Sequence, residues 1–177
     1  QYTKGAEEIL ELCKFYDGKL QSLADVKGIA YREDKEIIVK SFELVKDLSS
    51  LAFAYEDFQD FEHKIIYYES SRGCPFSCSY CLSSIDKTVR FRSLEKVFEE
   101  LDFFMGHQVP QVKFVDRTFN CDRKRARAIW KYLMEKDNGV TNFHFEVSAD
   151  LIEEEDLQIM EQMRPGLIQL EIGVQST

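Results

Sequence analysis

Apolar residues recur along this chain at two different periods, and the changes between them mark out its elements. In EEILELCKFY (residues 7–16), Ile9, Leu10, Leu12, Cys13 and Tyr16 share one stripe at helical spacing, and Gly18 just beyond predicts the stop. KGIAYRE and EIIVK read as two short strands joined by a charged turn at Asp34 and Lys35. Residues 41–60 keep no clean period; SSLAFAYEDF within them reads as an extended linker whose aromatics dock on a neighbour. From Lys64 onward strand and helix patterns alternate. KIIYYES is followed by a helix opened by Ser93, with Leu94, Val97, Phe98, Leu101 and Met105 on one face. QVKFVD precedes a helix capped by Asn120, with Ala126, Ile129, Trp130 and Leu133 facing inward. TNFHFEVS, the helical IEEEDLQIMEQM with its Arg164-Pro165-Gly166 stop, and LIQLEIGV complete the series.

Strands separated by single helices imply right-handed crossovers and a parallel sheet, so the fold class is α/β. LIQLEIGV carries apolar residues on both faces, as a strand covered on each side would. The chain ends soon after it, and a parallel domain rarely stops at an uncovered strand. Gln1 also stands where a methionine would begin a protein. We therefore expect a piece of a longer protein, inactive by itself and prone to self-association through its fourth strand's open edge. In parallel α/β architectures the chemistry collects at the C-terminal ends of the strands. That rule selects the Cys74–Cys81 loop, Asp116-Arg117-Thr118, then Glu146, Ser148 and Asp150, and finally Glu171 to Gln175.

Composition narrows the partners. At 177 residues, 44% hydrophobic and 31% charged, the chain suits one sizeable domain or a domain with a short appendage. No apolar run approaches the roughly 20 residues that span a bilayer, so no membrane partner is expected. The net charge of −9 disfavours general nucleic-acid binding. The acidity is concentrated early: residues 1–63 hold eight Lys and Arg against fourteen Asp and Glu. Against it stands one basic run, Arg123-Lys124-Arg125 with Arg127, which reads as a solvated helix face or a phosphate contact. Five cysteines, an odd number with no export signal, argue against a disulfide framework and for metal ligation in a reducing, cytoplasmic setting.

Three of those cysteines lie in CPFSCSYC, residues 74–81. Soft thiolates at such spacing select zinc, copper(I) or an iron–sulfur cluster. Gly73 and Pro75 help the loop turn, and the small Ser71, Gly73 and Ser77 leave backbone N–H groups free to approach cluster sulfides. Three thiolates on a [4Fe–4S] cube leave one iron open, where a substrate can be held. The alternatives are a zinc knuckle completed by His63, His107 or Cys121, or three inert buried thiols. Cys13 and Cys121, taken singly, read as small core residues.

The arrangement CxxxCxΦC, here Cys74, Cys78, Tyr80 and Cys81 after the first strand of a (β/α) repeat, resembles the radical S-adenosylmethionine (SAM) superfamily. The likeness covers residues 64–177, and GVQS near the end is a second family-like element. It implies a truncated parallel (β/α) partial TIM barrel with about four of six strands, preceded by a small α+β linker segment. It implies a [4Fe–4S] cluster on Cys74, Cys78 and Cys81, and SAM chelated to the open iron. It also implies an electron donor of flavodoxin or ferredoxin type, and reductive cleavage of SAM to a 5′-deoxyadenosyl radical that attacks a small-molecule substrate. Tyr80 would bring its backbone to the adenine. Family members often carry Gly-Gly-Glu after strand two, where this chain has FVDRTFN, so Asp116 is the expected substitute for the SAM amino contact. Glu146 or Ser148 would face the ribose or carboxylate, and Gln175 the SAM pocket. Glu171 would be either a paired structural carboxylate or a SAM or substrate contact. Residues 1–63 resemble the tail of an upstream cobalamin-binding domain joined to a radical SAM barrel, as in the anaerobic magnesium-protoporphyrin monomethyl ester cyclase and cobalamin-dependent radical methylases. Cobalamin is accordingly expected in the full-length protein, though not on this chain alone. A methylthiotransferase-like enzyme acting on tRNA or protein, and a non-catalytic metal-binding module, remain the alternatives.

Overall fold

The computed structural model describes residues 2–41, 44–55 and 64–174. Compactness divides the chain between Lys46 and Asp47. The first unit holds helix α1 (Tyr2–Tyr16) and an antiparallel hairpin of β1 (Ala30–Glu33) and β2 (Glu36–Val39). Gly18, at φ +73°, ends the helix as expected, because glycine accepts the left-handed conformation freely. Asp34, at φ +51°, makes the hairpin turn. The apolar stripe of α1 is not buried here: Ile9, Leu10 and Tyr16 are exposed, and so is Cys13, contrary to the core role expected of it. One helix and a two-stranded hairpin offer too little apolar surface to cover that stripe.

The second unit carries the strands β3 (Ile66–Tyr68), β4 (Ser71–Arg72), β5 (Arg90–Phe91), β6 (Gln111–Phe114), β7 (Asn142–Val147) and β8 (Ile168–Ile172). Helices α2 (Leu94–Gly106), α3 (Arg123–Lys136) and α4 (Glu154–Glu161) alternate with the last of them. Strands β3, β6, β7 and β8 form one parallel sheet in that order, as the alternating strand and helix pattern predicts. Ser93 caps α2 by accepting from Lys96 N–H at 3.3 Å. Helix α3 is capped by Asp122, not by the expected Asn120, and Asp122 accepts from Arg125 N–H at 3.0 Å.

The core lies between the sheet and α2 and α3, where Val97, Leu101, Phe104, Ile129, Trp130, Phe143 and Phe145 are all fully buried. Large-to-small changes at such aromatic positions cost about 3–5 kcal/mol. Residues 47–55 pack on this unit. Phe53 and Tyr55 set their rings against Phe104 at 5.5 Å, and the Tyr55 hydroxyl donates to Tyr67 O at 2.5 Å. Arg92 secures the segment further, donating to the Leu48 and Leu51 carbonyls at 2.6 and 2.9 Å while paired with Glu100. Phe53 and Tyr55 of the linker therefore dock on the unit that carries the parallel sheet, while Phe58 lies outside the described residues.

Candidate functional site

Strand β4 pairs with β5, Ser71 opposite Phe91 and Arg72 opposite Arg90, and so closes residues 73–89 into a loop held at its base. Inside it, Cys74 N–H donates to Asp86 O at 3.1 Å, and an ion pair joins Arg90 to Asp86. Gly73 sits at φ +102°, and a Cβ there would stand 2.5 Å from the Thr88 carbonyl oxygen, so only glycine lets the chain turn into the first cysteine. The loop leaves the C-terminal end of β3, where the strand-end rule places chemistry.

The three thiols differ in setting. Cys74 is buried, Cys81 is half-buried and Cys78 is exposed. Cys81 takes the N-cap position of the 3-10 turn Leu82–Ile85. There the Ser83 backbone N–H and side chain hold its thiol below the usual range, with help from Ser84 N–H and the Arg117 charge, so its thiolate is favoured. Tyr80, beside it, is 80% exposed.

The Asp116-Arg117-Thr118 turn after β6 packs against this loop. Asp116 is 1% exposed; Ser70 N–H donates to it at 2.7 Å, the Ser70 hydroxyl at 2.6 Å and the Ser71 hydroxyl at 2.8 Å. Burial pushes its carboxyl above the usual carboxylate range despite these bonds. The carboxylate thus ties the end of β6 to the residues leading into the cysteine loop. Thr118, buried, places Oγ1 3.8 Å from Cys74 Sγ. Asn120 is diverted from capping because its side-chain amide bridges to β7's end, donating to Ser148 O and accepting from Ser148 N–H, both at 2.9 Å. The Ser148 hydroxyl donates to Asp150 at 2.5 Å. The turns after β3, β6 and β7 are therefore physically joined.

Glu146 and Glu171 lie elsewhere on the same sheet. They face each other in register on β7 and β8, on the face opposite the core. Tyr67, Lys113, His144 and Gln169 align on that face across all four strands. Lys113 Nζ donates to Glu171 at 2.9 Å and stands 4.0 Å from Glu146. His144 Nε2 is 3.1 Å from Glu171, out of line for a hydrogen bond. Lys113, and secondarily His144, hold the Glu171 carboxyl below its usual range. LIQLEIGV, expected to be apolar on both faces, is thus apolar only toward the core, where Ile168 and Leu170 pack. Lys113 and His144 were missed in the sequence because single polar residues in short strands carry no motif; the alternation in QVKF and NFHFEV was the available signal. Gln175 lies outside the described residues.

Of the basic run, Arg123 and Arg127 pair with Glu153 on the segment entering α4, and Arg127 also takes Glu155 and Asp156. Arg125 stacks 5.2 Å over the Phe91 ring and reaches Ser70 O at 3.3 Å. An open cavity of about 610 Å³ lies beside the cysteine loop, lined by Pro75, Val89, Phe91, Cys121, Lys124 and Leu151 among others.

Among the described residues no three His, Cys, Asp or Glu side chains gather closely enough for a single ion. A zinc knuckle would need four ligands around one metal, and His63, one of the residues that could complete it, lies outside the described residues. A [4Fe–4S] cube makes a different demand, since each thiolate binds its own iron and the sulfurs stand apart. A loop with three thiols, one of them already favoured as thiolate, and a glycine bend that a Cβ would block, fits such a cluster.

Comparison with known proteins agrees. A 60-residue stretch is 42% identical to an uncharacterized methyltransferase of Pyrococcus horikoshii, covering 32% of this chain and 13% of that protein. The fold resembles the radical S-adenosylmethionine methyltransferase TsrM of Kitasatospora setae. The TM-score is 0.71 at 14% identity for the form with tryptophan substrate and a SAM analogue, covering 96% of this chain and 36% of that one. For the form with cobalamin and a [4Fe–4S] cluster it is 0.69 at 12% identity, covering 95% and 36%. The chain thus spans about a third of the length of those solved relatives. No described helix is long and apolar enough to cross a membrane. Residues 68–177 match the model of the radical SAM superfamily, and the chain belongs to that superfamily, whose cofactors are a [4Fe–4S] cluster and SAM.

Proposed function

We propose that this chain is the cluster-binding part of a cobalamin-dependent radical SAM enzyme of methylase type, with Cys74, Cys78 and Cys81 as the cluster ligands. The observation that carries this reading is the three-cysteine loop, anchored by β4, β5 and Asp116 at the C-terminal end of the first strand of a parallel sheet. When bound, the cluster supplies a low-potential electron to SAM, and the protein supplies position and electrostatics. Gly73 bends the chain into Cys74, and the Ser83 and Ser84 N–H groups favour the Cys81 thiolate. Asp116 acts through Ser70 and Ser71 to hold the loop in place, a positioning role in this reading and not the SAM amino contact. Tyr80 is exposed at the loop surface, where its backbone can meet adenine. Glu146 and Ser148, at the end of β7, stand toward SAM or its substrate. Glu171 is held by Lys113 and His144, which gives that face of the sheet its charge pattern.

Methyl transfer is favoured over oxidative cyclisation because the Pyrococcus relative and TsrM are both described as methyltransferases. Residues 1–63 would then be the tail of a cobalamin-binding region of the whole protein, a low-potential flavodoxin or ferredoxin would deliver the electron, and the setting would be the reducing cytoplasm. Anaerobic reconstitution with iron and sulfide tests the core of this proposal. The wild-type chain should gain broad absorbance near ~400 nm and, once reduced, an electron paramagnetic resonance signal that changes when SAM is added. Cys74→Ala, Cys78→Ala and Cys81→Ala should each lose it, while Cys13→Ala and Cys121→Ala should keep it. A cluster that survives loss of any of the three, or that ignores SAM, refutes the assignment.

A further inference from the structure

We infer that Thr118 is a positioning residue for the Cys74 sulfur and raises the reduction potential of the cluster bound there; this rests on the ligand assignment above. Thr118 Oγ1 stands 3.8 Å from Cys74 Sγ, and both residues are buried at the junction of the loops after β3 and β6. The same hydroxyl donates to the Arg117 carbonyl at 2.8 Å. With Cys74 as a free thiol the contact is satisfied by S–H donating to Oγ1. An iron-bound thiolate has no proton to give, so the contact persists only if the Thr118 hydroxyl turns from the Arg117 carbonyl toward sulfur.

The surroundings hold the hydroxyl in reach of the sulfur. Asp116 ties the turn to Ser70 and Ser71, two residues short of Gly73, and Asn120 pins its far side to Ser148. Cys121 N–H donates to Thr118 O at 3.1 Å, which fixes the Thr118 backbone as well. Hydrogen bonds to ligand sulfurs are among the determinants of iron–sulfur potentials. A donor stabilises the extra electron of the reduced state more than it stabilises the oxidised state, so the potential rises. That eases reduction by a physiological donor and lessens the driving force left for SAM cleavage.

The test compares the reconstituted chain with Thr118→Val, which keeps the shape and loses the hydroxyl, and Thr118→Ser, which keeps the hydroxyl. Iron and sulfide content are measured first, then the midpoint potential by anaerobic redox titration. The expected result is an equal cluster content in all three, a more negative midpoint for Thr118→Val, and a wild-type midpoint for Thr118→Ser. If Thr118→Val takes up no cluster while Thr118→Ser does so at the wild-type midpoint, the hydroxyl is again the group required. An unchanged midpoint in Thr118→Val overturns the inference, as does an equal shift in both variants or loss of the cluster in both, because each points to packing by the side chain. A wild-type chain without any cluster instead removes the ligand assignment itself.

Discussion

Asp116 shows how one buried carboxylate can tie the end of a strand to a neighbouring loop. Its carboxylate is buried and receives three hydrogen bonds from Ser70 and Ser71. Asp116→Ala would leave buried donors unsatisfied, and we expect a loss of about 2–3 kcal/mol in urea unfolding. The pH dependence has a definite sign. Burial raises the folded-state carboxyl above its unfolded value. The stability it contributes is therefore complete below the usual carboxylate range and is lost as pH rises through the raised value. Asp137 and Glu171, held low by Arg164 and Lys113, slope the opposite way, so the measurement is the difference between wild type and Asp116→Asn across pH. That difference should shrink steadily from acid to neutral pH. A difference independent of pH would mean that Asp116 is not perturbed by burial.

At the scale of elements, the buried pair of Arg92 and Glu100 joins four pieces of structure. Arg92 follows β5, Glu100 lies on α2, the Tyr68 hydroxyl of β3 donates to Glu100 at 2.6 Å, and the carbonyls of 48 and 51 complete the set. Removing one partner of such a pair strands a buried charge and costs about 3–5 kcal/mol. Arg92→Met should lose that much in chemical denaturation. It should also expose the amides of 47–55 to hydrogen exchange well before those of β6 and β7. Simultaneous exchange of both regions would show that the segment is not held by Arg92.

For the whole molecule, the sheet has an unpaired side at β8, which pairs only with β7 among the described residues. Ile172 and Val174 are exposed beside it, and α1 exposes Ile9 and Leu10. Open edges and apolar patches of this kind promote association. We expect the apparent mass of this 177-residue chain in light scattering to rise with concentration, and a constant monomer mass would contradict that.

The parallel order of strands was legible from alternating periods, because crossover helices leave a repeat that local pattern reveals. The cysteine loop was legible too, since three thiols at short spacing identify themselves wherever the chain goes. The inward face of α3 followed from its periodicity; on α2 Val97, Leu101 and Met105 did, while the buried Phe104 and Glu100 did not. The sequence by itself therefore determined the fold class and the superfamily, and it singled out the three cysteines proposed as cluster ligands. Only the tertiary structure decided what surrounds them. Asn120 reads as a helix cap until Ser148 competes for its amide, and Glu171 reads as an odd charge until Lys113 and His144 arrive from two other strands. The Thr118 contact with Cys74 joins residues 44 positions apart. Such pairings depend on register and on loop ends meeting in space, which no local period encodes.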